Sequence, residues 1–364
     1  MGAFSETYVD PSIAANSGTG TIGDPYGDLQ YALDTMTRDS TNGDRINIKA
    51  GTSEILAAGI SLSSYGSPGA ASPICWQGYT STAGDGGRGG ISLGGGTFSI
   101  KGTGMGFYQM WRDLEIHNAA PTAQVWKAST TEVMENVKFH DITGNAVSSS
   151  NGGVFVDCWF EDISGYGLDG NSPMAIGCYF KNGTKKFTTA YRASSARSFV
   201  AVTDCIFSLD GSSNGIYLAN YVNCRGNTVF SNGGTGIGID GNNLQNSMRC
   251  TNNYVEGFSG VGGYGFDAGS ATFDTNMMKH NAAYGNATDY RLGDEHGTVD
   301  NETLTSSGLA KSGSDTYANR LTYFAPADEG NMLSGHMGWA KGAVPAAAGG
   351  AASMLRRSNM RGGY

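Results

Sequence analysis

The chain has 364 residues, 57 of them glycine, with 15% charged residues and a formal net charge of −9. That acidic balance argues against general nucleic-acid binding, which wants a basic face, and no apolar run approaches the ~18 residues of a membrane-spanning helix. Glycine at this level can mark disorder, but here it accompanies periodic Val, Ile and Phe and 10% aromatic residues, which argues for an ordered fold.

Residues 1–23 read as an extended lead-in rich in Ser, Gly and Thr. Asp24-Pro25 then has the form of a helix start, with Asp24 at the N-cap and Pro25 at the first helical position. Leu29, Ala32, Leu33 and Met36 follow on one face. A short helix of this kind would plug the open end of a solenoid, so residues 1–40 form an arm and cap. The run Gly43-Asp44-Arg45-Ile46-Asn47-Ile48 reads as a turn and then the strand of the first coil. Residues 64–104 are irregular and carry the glycine-rich stretch Ala83–Gly90, which lacks the Lys-Ser/Thr ending of a phosphate-binding loop.

From there one pattern repeats: a turn residue, an apolar residue, a variable one and a large apolar anchor. It occurs at Asp113–Ile116, Asn136–Phe139, Asp157–Phe160, Gly177–Phe180, Asp204–Phe207 and Asn227–Phe230. The anchors Ile116, Phe139, Phe160, Phe180, Phe207 and Phe230 recur every 20 to 27 residues, and Asn253-Tyr254-Val255 is a looser seventh copy. A recurrence of that length means stacked supersecondary units, and alternation with period two makes the units strands. Stacked in register they form a single-stranded parallel β-helix in which like residues lie on like. Cys158, Cys178 and Cys205, each two residues before its anchor, should form an interior ladder beside the Phe ladder. That placement favours buried, reduced thiols over three disulfides among the six cysteines. Asp, Asn or Gly at the turn position suits left-handed backbone. The solenoid spans 41–300, with last rungs and a cap at 301–340. Residues 341–364 form an irregular basic tail, with Lys341, Arg356, Arg357 and Arg361 and no acidic residue after Glu329.

Several of these segments resemble a known family. Tyr8-Val9-Asp10-Pro11, the Gly23–Leu33 stretch and Gly43–Ile48 look like the opening of pectate-lyase-like right-handed parallel β-helix proteins. Trp76-Gln77-Gly78-Tyr79-Thr80 followed by Gly84-Asp85-Gly86-Gly87 looks like the second-coil motif of that group. The resemblance implies a right-handed, all-β solenoid over residues 1 to about 300. The group includes polysaccharide lyases, glycoside hydrolases, bacterial surface proteins and phage tailspikes and capsid decoration proteins, so fold alone does not select an activity.

No catalytic, cofactor or metal site is expected from the residues. Leu168-Asp169-Gly170-Asn171 and Ile239-Asp240-Gly241-Asn242 lie 71 residues apart, about three coils or roughly 14 Å. That is wider than an inverting carboxylate pair, so they read as turns at matching corners, with Asp267 at a similar one. Asp204 and Asp210 with Arg225 are a poor match to a calcium-dependent lyase site. His117 and His140, each one residue past an anchor, should stack on neighbouring coils and face outward, two ligands short of a structural metal site. Trp159, Tyr179 and Tyr217 should also face outward, to bind sugar or a second subunit.

With no visible secretory signal, the leading expectation is a non-enzymatic virion protein made in the host cytoplasm and placed on the capsid exterior. It would be a decoration, or cement, protein of a tailed phage, a homotrimer bound to the major capsid protein and using 341–364 as an arm. The alternatives are a phage tailspike or fibre that binds or cleaves polysaccharide, a free lyase or hydrolase, or a bacterial surface protein. No nucleic-acid or membrane partner is expected.

Overall fold

The structure is a computed structural model. It describes residues 4–101, 108–128, 132–149, 152–171, 173–193, 200–218, 222–241, 249–267, 278–291 and 302–304. Within 307–324 it also describes Ser307, Leu309, Lys311, 314–316 and 318–324. The tail with Lys341, Arg356, Arg357 and Arg361 lies outside the described residues.

The chain winds into a right-handed parallel β-helix whose coils build three sheets, of eleven, eleven and eight strands among the described residues. The first sheet runs from Ser5–Val9 to Met278–Lys279, the second from Ser53–Ile55 to Glu302–Thr303, and the third from Gln124–Ala128 to Thr288–Arg291. One residue with left-handed backbone turns the chain from first sheet to second on each of eight successive coils. These are Asp113, Asn136, Asp157, Gly177, Asp204, Gly226, Asn252 and His280, with φ between 51° and 67°. L-residues reach that region at a cost that Gly avoids and Asn and Asp tolerate, which is why the sequence pattern carries these types there.

Inside, the expected ladder is present. Ile116 pairs with Phe139, Phe139 with Phe160, Phe160 with Phe180 and Phe180 with Phe207. The four phenyl rings are parallel within 7°, with centroids 5.3, 4.7 and 4.6 Å apart. Cys158, Cys178 and Cys205 are buried beside them, and all six cysteines are free thiols.

Phe230 is not part of that ladder. Val229, not Phe230, pairs with Phe207, and Phe230 faces outward against Phe324, 5.9 Å between centroids. The cause is the Gly226-Asn227 dipeptide. Gly226 takes the left-handed junction, so every later residue of the coil shifts by one position and changes face. Asn227 then points inward at the level of the cysteines. The next two coils repeat the shift through Asn252-Asn253 and His280-Asn281. The result is a buried asparagine ladder. Asn227 Nδ2 donates to Asn253 Oδ1 at 2.9 Å and Asn253 Nδ2 donates to Asn281 Oδ1 at 3.0 Å. Each Oδ1 also accepts the backbone N–H of the Asn one coil before it.

The N-terminal end is closed differently from the sequence reading. Ser5–Val9 already pairs with Asp44–Lys49, so a strand lies ahead of the expected first coil. Its outer edge is satisfied by a loop: Tyr8 N–H donates to the Gly20 carbonyl, and Tyr26 N–H donates to the Tyr8 carbonyl. Asp24 and Pro25 belong to that loop. The helix, α1, spans Leu29–Thr35 and is capped by Asp28, whose side chain accepts the Tyr31 N–H at 2.6 Å. Leu29, Ala32 and Leu33 are buried against the end of the core as expected.

At the other end one strand, Glu302–Thr303, joins the second sheet beside Ala282–Tyr284. The described residues beyond it lie along the outer face of that sheet as a strap, ending in the short helix α2, Arg320–Tyr323. Leu309 and Phe324 are buried there with Tyr179, Ile206, Tyr254 and Ala282. Asp315 pins the strap: it accepts Tyr179 OH at 2.5 Å and Ser208 Oγ at 2.6 Å. Glu256 pins it again, accepting Ser307 Oγ at 2.9 Å and lying 2.5 Å from Lys311 Nζ.

Candidate functional site

The strap covers the later coils of the second sheet. On the earlier coils the same outward face is open and densely polar. Strands Leu114–Ala119 and Lys138–Ile142 set His117 beside His140, with parallel rings 5.0 Å apart, as the anchor spacing predicts. His140 stands between two carboxylates: Nε2 is 2.5 Å from Glu115 Oε1 and Nδ1 is 2.7 Å from Asp141 Oδ2. His117 Nε2 is 2.9 Å from Ser53 Oγ. Lys138 lies 3.9 Å from Glu115 and 3.7 Å from Glu161, and its ammonium sits over the Trp159 ring at 4.1 Å.

Two residues past each anchor comes a second column, Asn118, Asp141, Asp162 and Asn182. The first three have left-handed backbone, φ 54°, 55° and 55°. Asp162 shapes the next loop by accepting the Lys185 N–H at 2.5 Å, and it lies 3.7 Å from Lys185 Nζ. Between this column and the loop runs an open groove of about 470 Å³, walled by His117, Asn118, Asp141, Thr143 and Lys185. Gly95, Ala119 and Ala120 complete its lining. Asp141 is its most accessible carboxylate, with 54% of the side chain exposed.

The electrostatics follow from packing. The hydrogen bond with His140 holds the Glu115 carboxyl below its usual range. Burial pulls Asp141 the other way, but its bond to His140 and its contact with Asp162 leave it below the usual range as well. Burial, then the neighbouring His140, push His117 down, so it is neutral at neutral pH. The groove therefore offers ionised acceptors and hydroxyl and amide donors on a rigid sheet. Among the described residues no group of three or more His, Cys, Asp or Glu gathers as a metal site.

The other sequence candidates are dispersed. Asp169 and Asp240 do share one outward column, three coils apart through Arg192 and Tyr217. They are strand residues rather than turns, and Asp169 is locked to Arg192 at 2.7 Å. Asp204 and Asp210 stand at opposite ends of strand Ile206–Leu209, and Asp210 pairs with Lys186 at 3.1 Å. In the glycine-rich stretch, Asp85 gathers the N–H groups of Thr80, Ser81, Thr82 and Gly87, and Gly89–Ser92 is a strand. Trp159 faces outward and is half-buried, as is Tyr217, whereas Tyr179 is buried beneath the strap. The sequence reading found the histidine pair but not Asp141, Asp162 or Lys185. The signal was there: Asn or Asp stands two residues after four consecutive anchors.

No protein-family profile matches the chain, and no curated protein sequence matches it. Solved structures with a similar chain path include the pectate lyase Pel9A, at 14% identity over 84% of this chain and 80% of that one, TM-score 0.46. A family PL6 polysaccharide lyase from Pseudopedobacter saltans matches at 13% identity over 76% and 91%, TM-score 0.33. A GH136 lacto-N-biosidase from Eubacterium ramulus matches at 10% identity over 82% and 67%, TM-score 0.32.

Proposed function

We propose that this protein is a glycan-binding β-helix and that the groove at Asn118, Asp141 and Lys185 is its glycan site. The observation that carries the reading is the polar column itself. Asn118 and Asp141 stand one coil apart, about 4.8 Å, in the wall of an open groove with Thr143 and Lys185, so a hydroxylated ring meets several hydrogen-bonding partners on a rigid scaffold. The test is a glycan microarray probed with the full chain. Saturable binding that is lost in Thr143→Tyr, which fills the groove, is the expected result; no binding to any polymer overturns the reading.

A second reading is a shell-decorating virion protein, a homotrimer that docks on the major capsid protein. It draws support from the outer face of the third sheet. There Arg192 is locked to Asp169 over the Tyr166 ring at 3.8 Å, and Arg291 is locked to Asp267 over the Tyr264 ring at 4.1 Å. Such a flank is rigid and self-satisfied, suited to packing against another protein. In this reading 341–364 is the arm, through Lys341, Arg356, Arg357 and Arg361. Quantitative mass spectrometry of purified particles decides it: a fixed, high stoichiometry to capsid protein is expected, and absence from particles ends it.

A further inference from the structure

The charges around the groove narrow the ligand class beyond glycan in general, on the premise that the groove binds glycan at all. One carboxylate lines it, Asp141, and three more stand behind its walls: Glu115 against His140 and Lys138, Glu161 against Lys138, and Asp162 against Lys185. Against them stand the ammonium groups of Lys138 and Lys185, and neither is free. Lys138 lies between Glu115 and Glu161, and Lys185 lies against Asp162. His117 is held neutral. His140 is flanked by Glu115 and Asp141. Of the two charged side chains that line the groove, the more exposed is the anion: Asp141 at 54% against Lys185 at 30%.

A uronic-acid polymer would bring a carboxylate to every ring and set it against Asp141, with Asp162 behind it, while the nearby lysines among the described residues, Lys138 and Lys185, already face carboxylates of the protein. Like charges at contact distance oppose each other even in water, and more strongly beside a protein surface. Neutral sugars meet no such opposition. Their hydroxyls donate to Asp141 and accept from the Asn118 amide. We infer that the groove takes a glycan without carboxylates and excludes polyuronates.

The experiment compares neutral polymers (dextran, galactomannan and mixed-linkage β-glucan) with polygalacturonate and alginate. All are displayed on one array at low ionic strength and probed with the full chain. The inference expects a neutral polymer to bind at least about tenfold more tightly than either polyuronate, with binding abolished by Thr143→Tyr. It also expects Asp141→Asn with Asp162→Asn to shrink the discrimination to a few-fold. Asn accepts the left-handed backbone both positions require, so the double variant keeps the groove's shape, which the melting curve verifies. Polyuronates bound as tightly as neutral polymers would overturn the charge argument and leave the glycan reading standing. So would discrimination that survives the double Asn variant. Failure of every polymer to bind, or neutral binding indifferent to Thr143→Tyr, would remove the glycan reading itself.

Discussion

At the scale of single residues the molecule is governed by what lies one coil above and below. Phe180 is buried between the rings of Phe160 and Phe207, 4.7 and 4.6 Å away. Phe180→Ala should therefore cost about 3–5 kcal/mol, the range for emptying a packed aromatic site, read as a lowered denaturation midpoint. An unchanged midpoint would mean the stack is not a stabilising column. Asn253 is the polar counterpart. Its Nδ2 donates to Asn281 Oδ1 and to the Cys224 carbonyl, and its Oδ1 accepts from Asn227. Asn253→Leu removes these bonds inside the core and strands their partners, at about 1–3 kcal/mol for a buried group left unpaired. It should destabilise more than Asn→Leu at Asn223, which is exposed on strand Val222–Arg225. The phenyl and thiol ladders were legible in the sequence because their registers repeat without a slip. The asparagine ladder was not, because Gly226-Asn227, Asn252-Asn253 and His280-Asn281 each offer two residues able to turn left-handed, and the pattern alone does not say which one turns. At the first the choice falls on glycine, which pays no steric penalty there.

At the scale of elements, the N-terminal cap holds a proton-linked contact. Glu54 lies buried in the middle of the first short strand of the second sheet, Ser53–Ile55, 9% exposed, with the backbone N–H of Leu29 at the start of α1 nearby. Burial, reinforced by nearby Asp28, pushes its carboxyl from the ordinary 4.5 up to about 7. The folded chain thus binds the proton more tightly than the unfolded one. The stabilisation is complete below about pH 4.5 and is lost as pH rises through about 7. Glu54→Gln should remove that slope, flattening the dependence of the melting temperature on pH between 5 and 8 while leaving the acid side unchanged; an undiminished slope would assign it elsewhere. The apolar face of α1 was readable from spacing, but its start was not. Asp24-Pro25 and Asp28 are both credible caps, and the loop that satisfies the edge of Ser5–Val9 claims the first of them.

At the scale of the whole molecule, a stack of near-identical coils melts according to nearest-neighbour contacts and is weakest where those contacts run out. The strap is the exception to this one-dimensional order. It leaves the stack after Glu302–Thr303 and returns across the coils of Tyr254, Ser208 and Tyr179, joining positions more than 100 residues apart in the chain. No repeat marks this segment, so nothing in its residue pattern reveals where it lies; its path is fixed by a carboxylate at each pin and by Leu309 and Phe324 against the sheet. Asp315→Ala deletes one pin, taking an acceptor from Tyr179 and Ser208 and a countercharge from Lys181, 3.8 Å away. Local opening is set by the weakest cooperative unit, so the strap should come free before the solenoid does. Limited proteolysis of Asp315→Ala should cut within 304–324 at least about tenfold faster than in the parent, the effect of about 1.4 kcal/mol on a local opening equilibrium. The exchange of amides in the Phe139–Phe207 coils should stay at the parent's rate. If cleavage and core exchange accelerate together, the strap is an integral part of the cooperative fold, and the outer face of the later coils of the second sheet is never uncovered without unfolding the coils beneath it.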